Sequence, residues 1–148
     1  MNETQLQRYL YEHIPLSQAM AVEVESASIT GVVLSAPLAP NINHRETLFG
    51  GSASAISILA AWALLFVRMD AERLDARLVI QRNTMDYLIP VAGPVRARGM
   101  APADQVWARY LRMLRSRGKA RISLVSQLEY QGQPAAYMHG DFVALKTQ

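Results

Sequence analysis

The segment NINHRETLFGG, residues 41–51, leads directly into an uncharged and largely apolar segment that ends at Val67. A polar loop followed by a glycine pair and an apolar run predicts a loop that opens a buried helix. Glycine lets the backbone approach a ligand closely, and the first N–H groups of a helix have no partner inside it. Those groups also lie at the positive end of the helix dipole. The segment is therefore a candidate binding site for a carbonyl or carboxylate oxygen, although a loop that only starts the helix has the same pattern.

The composition is that of one ordered domain spanning residues 1–148. Hydrophobic residues make up 51% of the chain, charged residues make up 18%, and the net charge is +3. These values exclude an intrinsically disordered chain. The chain has no cysteine, so disulfides and thiolate metal sites are excluded and a cytoplasmic location is expected. The apolar run over residues 52–67 is shorter than the roughly 20 residues of a spanning helix, and we expect no membrane span.

Hydrophobic spacing outlines the remaining elements. Apolar residues recur at helical spacing before Pro15 and after Asp104, the expected cap of its helix, and they alternate elsewhere. We expect a helix over 2–13, two strands between 19 and 38, a helix from about Gly50 to Arg68, strands over 77–89 and 95–100, a helix over 104–115, and strands over 119–130 and 135–145. This order predicts an α+β fold in which one sheet of five or six strands curves around the long helix. The sheet leaves an unprotected edge, which predicts a homodimer, or a dimer of dimers, joined edge to edge.

Three segments resemble one known family: APLAPNIN (36–43), TLFGG (47–51) and YLIP (87–90). With the order of elements, they identify the chain as a member of the hot-dog fold superfamily of acyl-thioester enzymes. The resemblance covers residues 21–145 and implies a curved antiparallel sheet wrapped around one central helix. It is strongest to the thioesterase-like branch whose domain also occurs fused behind an acetyltransferase domain. Some members of this branch decarboxylate malonyl-acyl carrier protein to acetyl-acyl carrier protein, which primes fatty acid synthesis, and their catalytic Asn corresponds to Asn43.

The chain departs from its hydrolytic relatives at two positions. Phenylacetyl-type hot-dog thioesterases carry a His before the glycine pair and an Asp two helical turns further on, where this chain has Phe49 and Ile58. Hydrolysis of a thioester usually uses a carboxylate to activate water or to attack the carbonyl. No acidic residue lies between residues 52 and 67. Hydrolysis would therefore need a carboxylate from elsewhere, such as Glu46 or Asp86 of a partner subunit.

Decarboxylation of a malonyl thioester needs neither a base nor a nucleophile. Loss of carbon dioxide leaves an enolate whose oxygen must be stabilised, and neutral hydrogen-bond donors suit that oxygen. A nearby carboxylate would repel both the substrate and the enolate. The resemblance implies that Asn43 supplies a catalytic amide and that the N–H groups of Gly50 and Gly51 complete the oxyanion site. The expected substrate-binding neighbours are His44, Thr47 and Phe49.

These side chains also have purely structural interpretations. Asn43 is suited to close its own loop through the backbone, and Asn41 is expected to be a turn residue. His44 is typical of an exposed loop, and Thr47 is a natural cap for the following helix. Ser57, in the middle of the helix, is expected to bond back to the preceding turn.

Basic residues cluster in the second half of the chain. They are Arg109, Arg112, Arg115, Arg117, Lys119 and Arg121. An acidic acyl carrier protein, or the phosphates of coenzyme A, would be attracted to such a surface, with the last four residues as predicted contacts. A solvated helix face is the alternative. No nucleic-acid motif accompanies the cluster, so a nucleic-acid partner is not expected.

The sequence thus predicts an acyl-thioester enzyme, with decarboxylation of malonyl-acyl carrier protein as the favoured reaction. No metal or organic cofactor is expected, because the phosphopantetheine arm belongs to the carrier protein or to coenzyme A. A thioesterase acting on acyl-coenzyme A or acyl carrier protein is the second possibility. A non-catalytic module that binds acyl thioesters is the third. The acyl chain length, and the choice between carrier protein and coenzyme A, stay open.

Overall fold

A computed structural model describes residues 1–147. Along these residues the helices and strands are α1 (Glu3–His13), α2 (Pro15–Ala19), β1 (Glu23–Ser28), β2 (Gly31–Ala36), α3 (Gly50–Ala71), β3 (Ala76–Tyr87), β4 (Val95–Met100), α4 (Asp104–Arg117), β5 (Lys119–Tyr130) and β6 (Gln133–Lys146). A short 3₁₀ turn over Ala39–Asn41 precedes the loop that leads into α3. The strands form one antiparallel sheet in the order β1-β2-β4-β5-β6-β3. The predicted α+β architecture of a sheet around one long helix is confirmed.

The long helix α3 packs against the inner face of this sheet. One side of α3, which includes Ile56 and Leu64, packs in a cluster with side chains of β1, β2 and β4. Another side, which includes Ala61 and Leu65, packs against α4 and the buried side chains of β5 and β6. Burial of each large aliphatic side chain contributes roughly 1.5–3 kcal/mol, so packing on both sides holds the helix in place. Among the described residues α3 is the one helix long and apolar enough to cross a membrane, and 56% of its apolar window is buried inside the protein.

The sheet and α3 approach each other closely at Gly99 in β4. A Cβ at this position would overlap the carbonyl oxygen of Ala60, so only glycine fits. Nearby, the buried Ser126 hydroxyl donates a hydrogen bond of 2.7 Å to the carbonyl of Ser57. The expectation that Ser57 bonds back to the preceding turn is wrong, since its buried Oγ has no partner among residues 1–147. The middle of α3 is thus fixed by a backbone contact on one strand and a side-chain bond from the next.

The two edge strands differ in how well they are covered. On β1, the side chains of Glu3 and Gln7 from α1 accept hydrogen bonds from backbone N–H groups of the strand. On β3, the Trp62 indole N–H donates to the Leu78 carbonyl at 3.1 Å, and within the described residues this is the only side-chain bond to the strand backbone. Edge strands with free backbone groups pair readily with another chain. The β3 edge is therefore the open one.

Some predicted boundaries need correction. Pro15 opens the short helix α2, in line with the preference of proline for the first helical position. Asp104 is not a cap but the first residue of α4, and no side chain in the described part of the chain caps this helix. Both α3 and α4 extend past their predicted ends, to Ala71 and Arg117. Helix α4 stops where it does because Gly118 adopts a left-handed conformation, with φ of 71°.

Candidate active site

The loop before α3 is closed by Asn43. Its Oδ1 accepts hydrogen bonds from the backbone N–H groups of Arg45 (2.8 Å) and Thr47 (3.1 Å). Two backbone donors fix the position of the oxygen, so the amide nitrogen faces the other way. That nitrogen donates to Thr47 Oγ1 at 2.9 Å and, at 3.4 Å, to the Leu48 carbonyl. Asn43 therefore closes the loop, and its longer donated bond is the weaker one and the easier to exchange for a ligand oxygen.

Thr47 does not cap α3, contrary to the structural expectation for it. Its hydroxyl pairs with the Asn43 amide, and among residues 1–147 no side chain accepts a capping hydrogen bond from the N–H groups at the start of the helix. The tip of the loop, His44 to Glu46, is exposed, and Glu46 has a positive φ of 62°. The two predicted substrate-binding residues therefore have different surroundings. The Thr47 side chain is hydrogen-bonded to Asn43, and the His44 side chain is exposed to solvent.

Helix α3 begins with unpartnered backbone donors. In the described part of the chain, the N–H groups of Gly50, Gly51 and Ser52 have no hydrogen-bond acceptor. The preceding residue, Phe49, is 56% exposed, and its ring lies over Gly51 where a Cβ would overlap it. The positive end of a 22-residue helix therefore presents three donors beside an exposed aromatic ring.

Tyr87 lies at the same helix start, and sequence reasoning gave it no role in the site. Its hydroxyl donates to the Gly50 carbonyl at 3.0 Å, and its ring lies within ordinary contact of the position that a Gly50 Cβ would take. The YLIP segment that contains Tyr87 supports the family resemblance, but nothing in its pattern indicates this contact. The end of β3 and the start of α3 are thereby held together at the site.

An apolar groove of about 270 Å³ adjoins this helix start. It is lined by Leu48, Ala53, Tyr87, Leu88, Ile89, Pro90, Val91, Leu128, Ala135 and Ala136. Its volume is near the lower end for ligand pockets, and the small alanine side chains leave the space open. Its lining contains no carboxylate, histidine, lysine or arginine. The groove can therefore hold a short apolar or acyl group but supplies no base.

Asn41 anchors the start of the loop through its buried side chain, so its role is larger than the turn position predicted for it. Its side chain is 2% exposed, and its amide donates to the carbonyls of Met20 and Pro37, both at 2.9 Å. Its own carbonyl accepts a bond of 2.8 Å from the Phe49 N–H. Both donated bonds of the amide nitrogen are made, while the buried Oδ1 has no hydrogen-bond partner among residues 1–147. The donated bonds and the bond from Phe49 fix the segment from which α3 starts.

Among residues 1–147, no carboxylate lines the groove. Met85 and its cross-strand neighbour Met138 face inward, so Asp86, one residue later on β3, faces outward. A larger cleft of about 540 Å³ on the outer face is lined by Glu23, Glu25 and Glu129, among others. Arg96 also lines that cleft and pairs with Glu25 at 2.9 Å, which leaves a net negative lining that disfavours a malonyl carboxylate.

The predicted basic cluster is divided between two faces. Helix α4 packs on the inner face of the sheet, and its exposed side carries Arg109, Arg112, Arg115 and Arg117. Lys119 and Arg121 instead alternate with buried residues of β5 and face outward. Arg115 forms an ion pair of 2.8 Å with Glu72, just after α3. The four predicted contacts, Arg115, Arg117, Lys119 and Arg121, therefore do not form one continuous surface.

Comparison with known proteins identifies the family. The family model described as "Putative thioesterase (yiiD_Cterm)" matches residues 3–146. The chain belongs to this family. The fold and the family together place the protein among the hot-dog acyl-thioester enzymes, which confirms the predicted superfamily and its thioesterase-like branch.

Solved structures agree with this assignment. A protein of unknown function from Chlorobaculum tepidum is 30% identical, with a TM-score of 0.92 over 98% of this chain and 94% of that one. A structure described as a putative thioesterase from Shewanella oneidensis is 28% identical, with a TM-score of 0.86 over 97% of this chain and 96% of that one. A mutant phenylacetic acid degradation protein from Thermus thermophilus is 18% identical, with a TM-score of 0.65 over 90% of this chain and 99% of that one. The last likeness concerns the fold alone.

Proposed function

We propose that the protein decarboxylates a malonyl thioester to an acetyl thioester, with the start of α3 holding the thioester oxygen. One combination carries this proposal: within residues 1–147, the N–H groups of Gly50, Gly51 and Ser52 have no acceptor, and they adjoin a groove whose lining has no carboxylate or histidine. Fixed donors without a base or nucleophile suit a reaction in which negative charge develops on an oxygen.

The proposed reaction breaks the bond between the carboxylate carbon and the methylene carbon of the malonyl group. The electron pair of that bond moves toward the thioester carbonyl, whose oxygen becomes an enolate, and carbon dioxide leaves. A proton from water then adds to the methylene carbon and gives the acetyl thioester. The N–H groups of Gly50 and Gly51 stabilise the enolate oxygen, and the apolar lining favours neutral carbon dioxide over a carboxylate.

Asn43 is proposed to supply the remaining donor. Its amide orientation is fixed by the two backbone bonds to Oδ1, and the Nδ2 hydrogen that makes only the 3.4 Å bond to the Leu48 carbonyl is the one proposed to be donated to the enolate oxygen instead. Only the weaker bond is exchanged, and the loop keeps its other contacts. The residue thereby serves both the loop and the reaction.

Hydrolysis of an acyl thioester is the second candidate function. The family description favours it, because the matching model is named for thioesterases. Water would need a base, and the exposed His44 and Glu46 are the two candidate bases in the loop. The same N–H groups would then hold the tetrahedral oxyanion.

The protein is proposed to act as a homodimer on substrate carried by an acyl carrier protein or coenzyme A. The open β3 edge supports the dimer, because an exposed strand of 12 residues is normally paired or blocked. The exposed arginines of α4 support an anionic carrier. Light scattering on the purified protein tests the dimer, and a monomeric mass would contradict it.

The test of the reaction uses malonyl- and acetyl-acyl carrier protein side by side with the Asn43→Ala and Asn43→Asp variants. We expect the wild type to form acetyl-acyl carrier protein and the Ala variant to lose about 10²–10³-fold in kcat, the usual effect of removing one oxyanion donor. Asn43→Asp keeps the loop-closing oxygen and loses the donor, so it must also be slow. Arg45→Ala, in the same loop, is the matched control and keeps its rate. Free thiol release would select hydrolysis, and tight binding without product would select a non-catalytic module.

A further inference from the structure

The uneven coverage of the two sheet edges indicates where a second copy pairs. Side chains of α1 already bond the backbone of β1, whereas β3 has only the Trp62 indole on its Leu78 carbonyl within residues 1–147. Val79 and Tyr87 on β3 are also exposed, by 49% and 57%. A two-fold dimer that joins two β3 edges pairs the strands antiparallel. The last residues of β3 in one subunit then lie beside the first residues of β3 in the other.

This arrangement brings opposite ends of the two subunits together. The candidate active site is at the last residues of β3, where Tyr87 bonds Gly50. The C-terminal end of α4 is at the opposite end of the strand: Gly118 accepts a hydrogen bond from Lys146, which pairs with Ala76. In each dimer, the end of α4 in one subunit is therefore near the active site of the other.

Within one subunit the same two features are far apart. Arg115 bonds Glu72 at the C-terminal end of α3, while the active site is at Gly50. The 22 residues of α3 span about 33 Å at 1.5 Å per residue. The arginines at the end of α4 are thus about one helix length from the active site of their own subunit.

We propose that the exposed arginine face of α4, formed by Arg109, Arg112 and Arg117, docks an acidic acyl carrier protein for the active site of the partner subunit. The proposal rests on the proposed function and adds where the carrier binds. Arg115 is paired with Glu72, whereas none of these three arginines bonds a carboxylate within the described residues. Residues 109 and 117 are about 12 Å apart along the helix. These arginines line a wide, open groove of about 710 Å³ on the outside of α4. Such a row of positive charges without carboxylate partners is complementary to the acidic surface of a carrier protein, and the malonyl-coenzyme A arm of the test below detects a nucleotide bound there instead.

The first experiment asks whether this face binds the carrier. The double variant Arg112→Glu/Arg117→Glu is compared with Arg8→Glu, an exposed charge reversal on α1. We expect the double variant to raise the KM for malonyl-acyl carrier protein roughly tenfold or more with little change in kcat. Malonyl-coenzyme A must keep its KM, and Arg8→Glu must behave as the wild type. An unchanged KM for the carrier substrate, or an equal rise for coenzyme A, would overturn the proposal.

The second experiment uses mixed dimers to decide which active site the face serves. One subunit carries Gly50→Pro, which removes an N–H from the active site, and either subunit carries the arginine reversals. Differently tagged chains are co-expressed and the mixed dimer is isolated. When both changes are in one subunit, we expect a high KM, because the intact active site faces the reversed arginines. When the changes are in different subunits, we expect the wild-type KM and about half the wild-type kcat.

The opposite assignment of KM values to the two mixed dimers would show docking within one subunit and overturn the proposal. Carrier binding is measured in parallel by fluorescence anisotropy of labelled malonyl-acyl carrier protein. If the wild-type dimer binds the carrier and forms no product, the proposed function fails. If the reversals then leave that binding unchanged, the docking proposal fails as well, and weaker binding supports it.

Discussion

The N–H group of Gly50 can be removed by a substitution to proline, whose ring carbon Cδ takes the place of the amide hydrogen. Proline lacks the N–H and is well tolerated at the first position of a helix. Phe49 before it has φ of −59° and ψ of 131°, the extended region that a residue preceding proline prefers. A Cβ at position 50 would meet only the Tyr87 side chain, at 3.5 Å or more, which is ordinary contact. The matched variant is Gly50→Ala, which adds the same Cβ and keeps the N–H.

The expected effect follows from the donors present at the helix start. Three N–H groups, those of residues 50–52, have no acceptor in the described part of the chain, and proline removes one of them. Loss of one oxyanion donor typically lowers kcat by about 10²–10³-fold, or about 2.7–4 kcal/mol in the barrier. Gly50→Ala should change the rate by less than about tenfold, and it should stabilise the helix slightly because alanine is the better helix former.

The assay is single-turnover conversion of malonyl-acyl carrier protein, with thermal unfolding of all three proteins as the control for folding. We expect Gly50→Pro to be slow at unchanged melting temperature and Gly50→Ala to remain active. Equal rates in the two variants would refute the reasoning that the Gly50 N–H holds the reacting oxygen. Equal losses in both would show that the site excludes any Cβ, and the donor argument would again fail.

Other predictions concern stability. Gly99→Ala should destabilise the fold by about 1–3 kcal/mol or more, because its Cβ overlaps the Ala60 carbonyl, while Gly31→Ala, whose Cβ has ordinary contacts, should be near neutral in chemical denaturation. Arg68→Lys should lower the free energy of unfolding by about 1–2 kcal/mol. The guanidinium stacks 4.4 Å from an indole of α4 and also donates to a backbone carbonyl at 2.8 Å, and one ammonium group cannot make both contacts. An unchanged denaturation midpoint would contradict this. Burial raises the pKa of the Tyr110 phenol above its ordinary value of about 10. The contribution of the protonated phenol to stability is complete below that pH and is lost as the pH rises above it. The free energy of unfolding, measured from pH 8 to 11, should therefore fall more steeply in the wild type than in Tyr110→Phe.

The elements of the fold were largely predictable because their patterns are long and regular. The alternation of β4 and β5 predicted their boundaries, and the uncharged run after residue 51 predicted α3. The helix ends were less predictable, since no side chain among residues 1–147 caps α4 and a left-handed Gly118 ends it. That conformation depends on the backbone around the turn, which hydrophobic spacing does not describe.

The active site was predictable at the helix start and less so around it. The glycine pair and Asn43 are adjacent in the chain, so their proximity needs no tertiary information. Tyr87 reaches Gly50 across a separation of 37 residues, and only the pairing of β3 with β6 brings it there. The division of the basic residues between α4 and the outer face of β5 likewise depends on which side of the sheet carries the helix.

The central claim is that the reaction releases carbon dioxide and leaves the thioester intact. Intact-protein mass spectrometry of malonyl-acyl carrier protein, incubated with catalytic amounts of the enzyme, tests it directly. The account predicts that the carrier loses the mass of carbon dioxide and remains acetylated, with no free thiol, and that Gly50→Pro slows this change far more than Gly50→Ala. Appearance of the free-thiol carrier and malonate, with no acetylated carrier, would contradict it and establish hydrolysis.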